Sequence, residues 1–405
     1  MTRFPALLAA CAAATLLSGC GPRTDAAGFT IDPDFEKTLQ EKLLDAKPGD
    51  VIEIPAGKYA LSRSLSLTAN GVTIKGAGMD KSILSFAKQT SGAEGILVTG
   101  DDFTIEDLAI EDSKGDALKI NGTRNAVMRR VRAEWSDGSK TSNGAYGLYP
   151  VQVTNVLIEG CVAKGASDAG IYVGQSTNII VRNNRAEGNV AGIEIENSTG
   201  ADVYGNTAIG NTGGILVFNM PNLPVPGSKT RVYRNTVTAN NHANFGAAGS
   251  AVSTVPAGSG VIVNSNDLVE IFDNDISDNQ TGNVILSSYY STDFGTETGI
   301  AKAYDPYPEN IYVAGNRFGG GGDKPPAQFA PLMALNGGRL PDILWDGFTN
   351  PKVADAGICV QNGAARLLNV DLPGKSAHAR IQPADCAPKA RLPEVALPAA
   401  LIRGS

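Results

Sequence analysis

Histidine is almost missing from this chain: only His242 and His378 occur in 405 residues. That scarcity leaves little material for a His-rich metal site or a His-dependent triad. Cysteine is sparse as well, with no pair at zinc spacing and no Cys-x-x-Cys-His phrase. Basic residues number 34 against 41 acidic ones, for a net charge of −7. Bulk electrostatics therefore argue against nucleic acid as a partner. An anionic sugar polymer stays open, because a local basic strip could hold it. Long apolar runs are missing too: the N-terminal stretch from Leu7 to Leu17 is too short to span a bilayer. The middle of the chain shows no helical period.

What the middle does contain is a repeat. Gly170-Ile171-Tyr172-Val173 returns as Gly192-Ile193-Glu194-Ile195 and Gly214-Ile215-Leu216-Val217, at intervals of 193 − 171 = 22 and 215 − 193 = 22 residues. Three inward aliphatic residues are followed at a fixed distance by asparagine: 184 − 171, 206 − 193 and 274 − 261 all equal 13. Leu118 and Leu148 keep that spacing to Val131 and Cys161. Short β-branched runs with Gly/Asn turns at a fixed period specify stacked coils of strands, that is, an all-β parallel β-helix solenoid. The recurring Asn184, Asn206, Asn235, Asn274 and Asn316 form a structural ladder, each amide bonding its neighbours and the turn backbone.

The ends differ. Arg3, the apolar Leu7–Leu17 run and Leu17-Ser18-Gly19-Cys20 read as a signal segment over residues 1–20. Its last four residues resemble the lipobox of bacterial lipoproteins. The resemblance implies that Cys20 is lipidated and anchors the chain to a membrane of the cell envelope, with Gly21 rather than Asp favouring the outer one. Residues 21–32 read as a tether and 33–48 as an amphipathic helix plugging the open end of the solenoid. Coils are expected over 49–320 and an irregular capping segment, anchored by Trp345 and Phe348, over 321–405. Outside the cytoplasm, Cys359 and Cys386 are free to form a disulfide contributing about 3–4 kcal/mol on the chain-entropy model. Cys161, at an inward position, reads as a buried thiol.

Four inserts break the coil length: Ser136 to Ala145, Met220 to Lys229, Asn240 to Gly258 and Ser287 to Glu309. All flank one strand of the coil, so they should wall a groove floored by that strand. Alternation along the strand points Lys119, Tyr149, Tyr172, Glu194, Leu216, Ile262 and Ile285 outward, with Glu196 on the same face. At ~4.8 Å per coil, Lys119 and Glu194 should lie ~14 Å apart, about a trisaccharide's length. Tyrosines between a lysine and carboxylates are suited to a sugar: rings cover pyranose C–H surface and charges fix hydroxyls or carboxylates. Glu194, Lys119 and Tyr172 are the candidate catalytic groups, and Tyr149, Glu196 and Asp168 the candidate substrate-binding ones. The carboxyl cluster could supply a general acid or base, or oxygen ligands for Ca²⁺; no metal ligands are otherwise evident.

The phrases Asp168 to Ser176 and Gly192 to Ser198 resemble the right-handed parallel β-helix repeat of bacterial envelope proteins, within the pectate-lyase-like superfamily. The resemblance implies activity on acidic polysaccharides, yet the familiar site phrases are incomplete. Asp101-Asp102 is present without a Gly-His-Gly, and Tyr304-Asp305-Pro306-Tyr307 has tyrosine where an alginate-epimerase-like signature carries histidine. Two readings stand: an envelope lipoprotein, expected to be monomeric, that binds and modifies polysaccharide as a lyase, hydrolase or epimerase; or a non-catalytic lipoprotein holding a glycan or an envelope partner protein.

Overall fold

The computed structural model describes residues 23–292 and 302–402. The lipobox and Cys20 lie outside them. Among the described residues no helix is long and apolar enough to cross a membrane. The chain winds as a right-handed parallel β-helix. Its strands stack into a 19-stranded and a 12-stranded sheet, parallel throughout except where Arg380–Gln382 closes the smaller one. Successive coils pair without slippage at the repeat: Ile171 faces Ile193, Ile193 faces Ile215, Ile215 faces Val261 and Val261 faces Val284. These aliphatic columns fill the interior, each residue fully buried.

The asparagine column is a ladder in the full sense. The Nδ2 of Asn184 donates to Oδ1 of Asn206 at 2.9 Å, and the chain of bonds runs on through Asn235, Asn274 and Asn316. Each side chain also donates to a carbonyl of the preceding coil, as Asn206 does to Val181 at 2.9 Å. The coils do not stop at 320. Tyr312–Ala314 pairs with Cys359–Gln361, Gly282–Ser287 pairs with Ile343–Trp345, and Asn362 takes the next rung at 3.1 Å from Asn316. Trp345 thus anchors as a strand residue rather than as part of an irregular cap. Cys359 and Cys386 are joined by a disulfide with Cα atoms 5.6 Å apart. Residues beyond it lie along the larger sheet, where the backbone N–H of Leu392 and Val395 donate to Glu270 and Asp202.

A second ladder runs beside the first. Asn189, Asn211, Asn240 and Asn279 bond in series, Nδ2 to Oδ1, at 2.9–3.1 Å. Glycine is needed opposite: a Cβ on Gly170 would lie 2.6 Å from Nδ2 of Asn189, and one on Gly192 2.8 Å from Nδ2 of Asn211.

At the N-terminal end, Phe35–Leu44 forms the plugging helix, with Leu39 and Leu43 buried and Phe35 stacked on Tyr59 at 3.6 Å between centroids. Leu44 points to solvent. The described part of the expected tether is folded onto the first coil instead. Thr24 bridges Thr30, and the N–H of Thr30 donates to the Lys58 carbonyl at 2.8 Å. Phe29 then lies under the ammonium groups of Lys58 and Lys88, a cation–π contact that a free linker would forgo.

Candidate functional site

The smaller sheet carries the strands expected to floor a groove, and all four inserts join its strands on one side or the other. Along its outward face the strands Leu118–Asn121, Tyr146–Val151, Ala169–Gly174 and Ala191–Glu196 bring the candidate residues side by side. Tyr149 pairs with Lys119, and Tyr172 with Glu194. The Lys119 ammonium sits 5.0 Å from the centre of the Tyr149 ring and 3.9 Å from Glu94. Tyr149 and Tyr172 meet edge to face at 5.0 Å.

Tyr146 completes the aromatic set, 4.4 Å from Tyr149 and 4.6 Å from Tyr172 between centroids. Strict alternation from Leu148 would point it into the core. Instead Gly147 faces inward, where an added Cβ would lie 2.4 Å from the Gly170 carbonyl oxygen. Two consecutive inward positions, 147 and 148, put Tyr146 outside again. The same slip places Ala169 in the outer cluster with Tyr172.

Burial divides the residues differently from the sequence expectation. Glu194, expected as an outward catalytic group, is 1% exposed, and Tyr172 is 4% exposed. Both lie beneath the surface, so neither is placed to touch a large substrate directly. Tyr146, Tyr149, Lys119, Asp116, Asp168 and Glu196 remain partly exposed. The Tyr172 hydroxyl donates to Glu196 at 2.6 Å, which ties the buried ring to an accessible carboxyl.

Asp168, Glu194 and Glu196 titrate together. Burial, followed by the charges of Asp168 and Glu196, holds Glu194 well above the usual carboxylate range. Asp168 is raised by burial and then by Glu196, and Glu196 by burial against the opposing Tyr172 hydrogen bond. Asp116 is pushed up to about 6, chiefly by burial, with Lys119 opposing. One oxygen each of Asp168 and Glu194 is buried with no hydrogen-bond partner. Three carboxyls this close disfavour full ionisation, so the cluster holds on to protons beyond the ordinary carboxylate range and has protons to donate.

A second acidic group forms where the Ser287 to Glu309 insert returns to the coils. Oxygens of Asp267, Asp305 and Glu309 lie within 4.8 Å of one another and could hold a metal ion. Burial, then Asp305 and Glu309, push Asp267 up to about 7, and one Glu309 oxygen is buried without a partner. Hard oxygen donors around an orphaned carboxylate fit a divalent cation of the calcium type. This group joins residues distant in sequence, and only Asp305 had been singled out, as part of an incomplete signature.

A family model of the right-handed β-helix region matches residues 65–236 and, overlapping, 136–298, together more than half of the 405. The chain belongs to this family. Among solved structures it is similar to the A-module of the mannuronan C-5 epimerase AlgE4 of Azotobacter vinelandii, at 19% identity and a TM-score of 0.57. The match covers 84% of this chain and 93% of that one. The AlgE6 A-module of the same organism gives 17% identity and a TM-score of 0.49 over 81% and 87% of the two chains. An alginate lyase in complex with a trisaccharide gives 15% identity and a TM-score of 0.44 over 71% and 69%. At 19% identity the likeness to the AlgE4 A-module establishes a shared fold alone. No curated protein matches the chain.

Proposed function

We propose that the outward face of the smaller sheet binds a polysaccharide and that its carboxyl cluster supplies acid–base chemistry to it. The observation that carries this reading is the juxtaposition of Asp168, Glu194 and Glu196, crowded carboxyls with raised proton affinity, with the partly exposed rings of Tyr146 and Tyr149. A neutral carboxyl both donates a hydrogen bond to a sugar oxygen and protonates a leaving one. Glu196 and Asp168 are the substrate-facing groups in this reading. Glu194 lies buried behind them, its own proton affinity raised by burial and by both of their charges, and Tyr172 fixes the Glu196 carboxyl. Lys119, beyond Tyr149, is the cation that would pair with a uronate. A mannuronan-acting module on the same fold is in keeping with a sugar polymer as ligand.

Purified protein screened on acidic and neutral polysaccharides, read by unsaturated-product absorbance and by reducing ends, tests this. Tyr149→Ala should weaken binding about tenfold, the value of one aromatic contact of ~1–1.5 kcal/mol. Glu196→Gln should spare binding and abolish turnover. If both variants bind and turn over the glycan as the native protein does, the site is elsewhere.

Calcium extends the reading at Asp267, Asp305 and Glu309, and membrane anchoring extends it at Cys20. The lipid anchor is supported by the Leu17-Ser18-Gly19-Cys20 phrase. Native protein labelling with palmitate, and Cys20→Ser not, is the expected outcome; unlabelled native protein removes the anchor.

A further inference from the structure

The groove sheet changes character one coil beyond Glu196. Its outward column continues in register from Glu194 to Leu216, Ile262, Ile285 and Leu344, all apolar. Over this half opens a cavity of about 710 Å³, within the ordinary range of small-molecule sites. The turn Ala251–Thr254 lines it, as do Leu332 and Leu335 of a short helix, Ala330–Leu335. Leu335 and Leu372 are 68% and 40% exposed, an apolar rim of the kind that marks a binding surface. Asp346 also lines the cavity, but its carboxylate is taken by the backbone N–H of Ser288 and Phe348.

The two halves are continuous. Phe218 is the strand neighbour of Glu196, lines the cavity, and packs in the same outer cluster as Tyr172. A ligand reaching from Tyr149 into the cavity therefore passes from rings and carboxyls onto a mostly apolar lining that also includes Asn264, Gln328 and Lys375. A purely polar glycan would leave the cavity walls wet. A free fatty acid would set its carboxylate against Asp168 and Glu196 if its chain lay in the cavity and its head on the polar half. A sugar head with an alkyl tail satisfies both surfaces.

We propose that the ligand of this face is an amphiphilic glycan, with its sugar on Tyr146, Tyr149 and Glu196 and an acyl chain in the adjoining cavity. The proposal rests on the glycan reading of the polar half and adds the class of ligand. Strands spaced ~4.8 Å apart carry the apolar floor over ~14 Å, room for a medium-length chain along the solenoid axis.

The test uses the full chain with dodecyl maltoside and dodecyl glucuronide below their critical micelle concentrations, against maltose and glucuronic acid, by calorimetry. At least one dodecyl glycoside should bind ten-fold or more tighter than its bare sugar. Ile285→Glu in the cavity and Tyr149→Ala on the polar half should each reduce that affinity about ten-fold. Leu335→Glu, at a residue already exposed, keeps the test decisive if Ile285→Glu does not fold. Suppose an oligosaccharide from the panel binds through Tyr149, while a dodecyl chain adds nothing and neither cavity variant matters. The amphiphile proposal then falls and the glycan reading stands. If dodecyl glycosides bind equally with either head and Tyr149→Ala is silent, both fall together.

Discussion

Two columns of buried polar groups run through the same coils and meet opposite fates. Inside, Asn206 is 1% exposed; its amide group donates to Val181 and Asn235, and its oxygen accepts two bonds from Asn184. On the outer face, Glu194 is as deeply buried, yet one of its oxygens has no partner and two other carboxyls raise its proton affinity. A satisfied buried amide holds the fold together. An unsatisfied, crowded carboxyl costs stability and is retained where it has chemistry to do. Burial alone therefore does not separate scaffold from site. The state of the hydrogen bonds does.

The comparison breaks most sharply at the ladder. Asn206→Ala strands donors on Asn184 and the oxygen of Val181 together, and should cost about 2–4 kcal/mol, counting a net bond or orphaned group at ~1 kcal/mol or more each. Denaturant midpoints measure it. Asn316→Ala should cost nearly as much, because Asn362 supplies a further rung. A silent Asn206→Ala would mean that the rungs are decoration on a solenoid held by its aliphatic columns alone.

Removing charge from the other column should act with the opposite sign. A carboxyl whose folded pKa is raised binds a proton more tightly in the native state than in the unfolded one. Its penalty is absent below the unfolded value and fully present above the folded one. Glu194→Gln should thus leave stability near unchanged at pH 4 and raise it increasingly as the pH climbs into the alkaline range. Thermal unfolding across that range reads this directly. Destabilisation at alkaline pH would mark Glu194 as a structural group, on a par with Asn206.

How far each column was legible follows from its physics. The first ladder was readable because a solenoid imposes a fixed distance from core aliphatic to turn amide. The second stands five residues further on, as 189 − 184, 211 − 206, 240 − 235 and 279 − 274 all show. The outward positions of Tyr149 and Glu196 followed from alternation, and Tyr146 did not, since the slip at Gly147 is a backbone event with no side-chain signature. Coils after 320 were hidden because irregular connections separate Phe318 from Ile343 and Trp345 from Cys359, and a period cannot be seen across them. The cavity was out of reach, because Leu332 and Leu335 join its lining only when distant segments pack.

The smallest expected effect sharpens the contrast at a third place, where a crowded carboxyl could be relieved by a cation rather than by a proton. Asp267 accepts the Glu309 N–H at 3.0 Å and is pushed up to about 7 by burial and its acidic neighbours. Above that pH Asp267→Asn should stabilise the protein by up to ~1 kcal/mol, discounted for its partial exposure to solvent. The gain should shrink as pH falls below that value and vanish only below about pH 4, where the carboxyl is protonated in the unfolded chain as well. Added Ca²⁺ should reverse the ranking at pH 8. The native protein gains Tm through ion binding to the folded state, while the asparagine variant, short of one anionic ligand, gains less. Equal calcium response in the two proteins would leave Asp267 as a plain buried acid, paired with protons only, and would place it with Glu194.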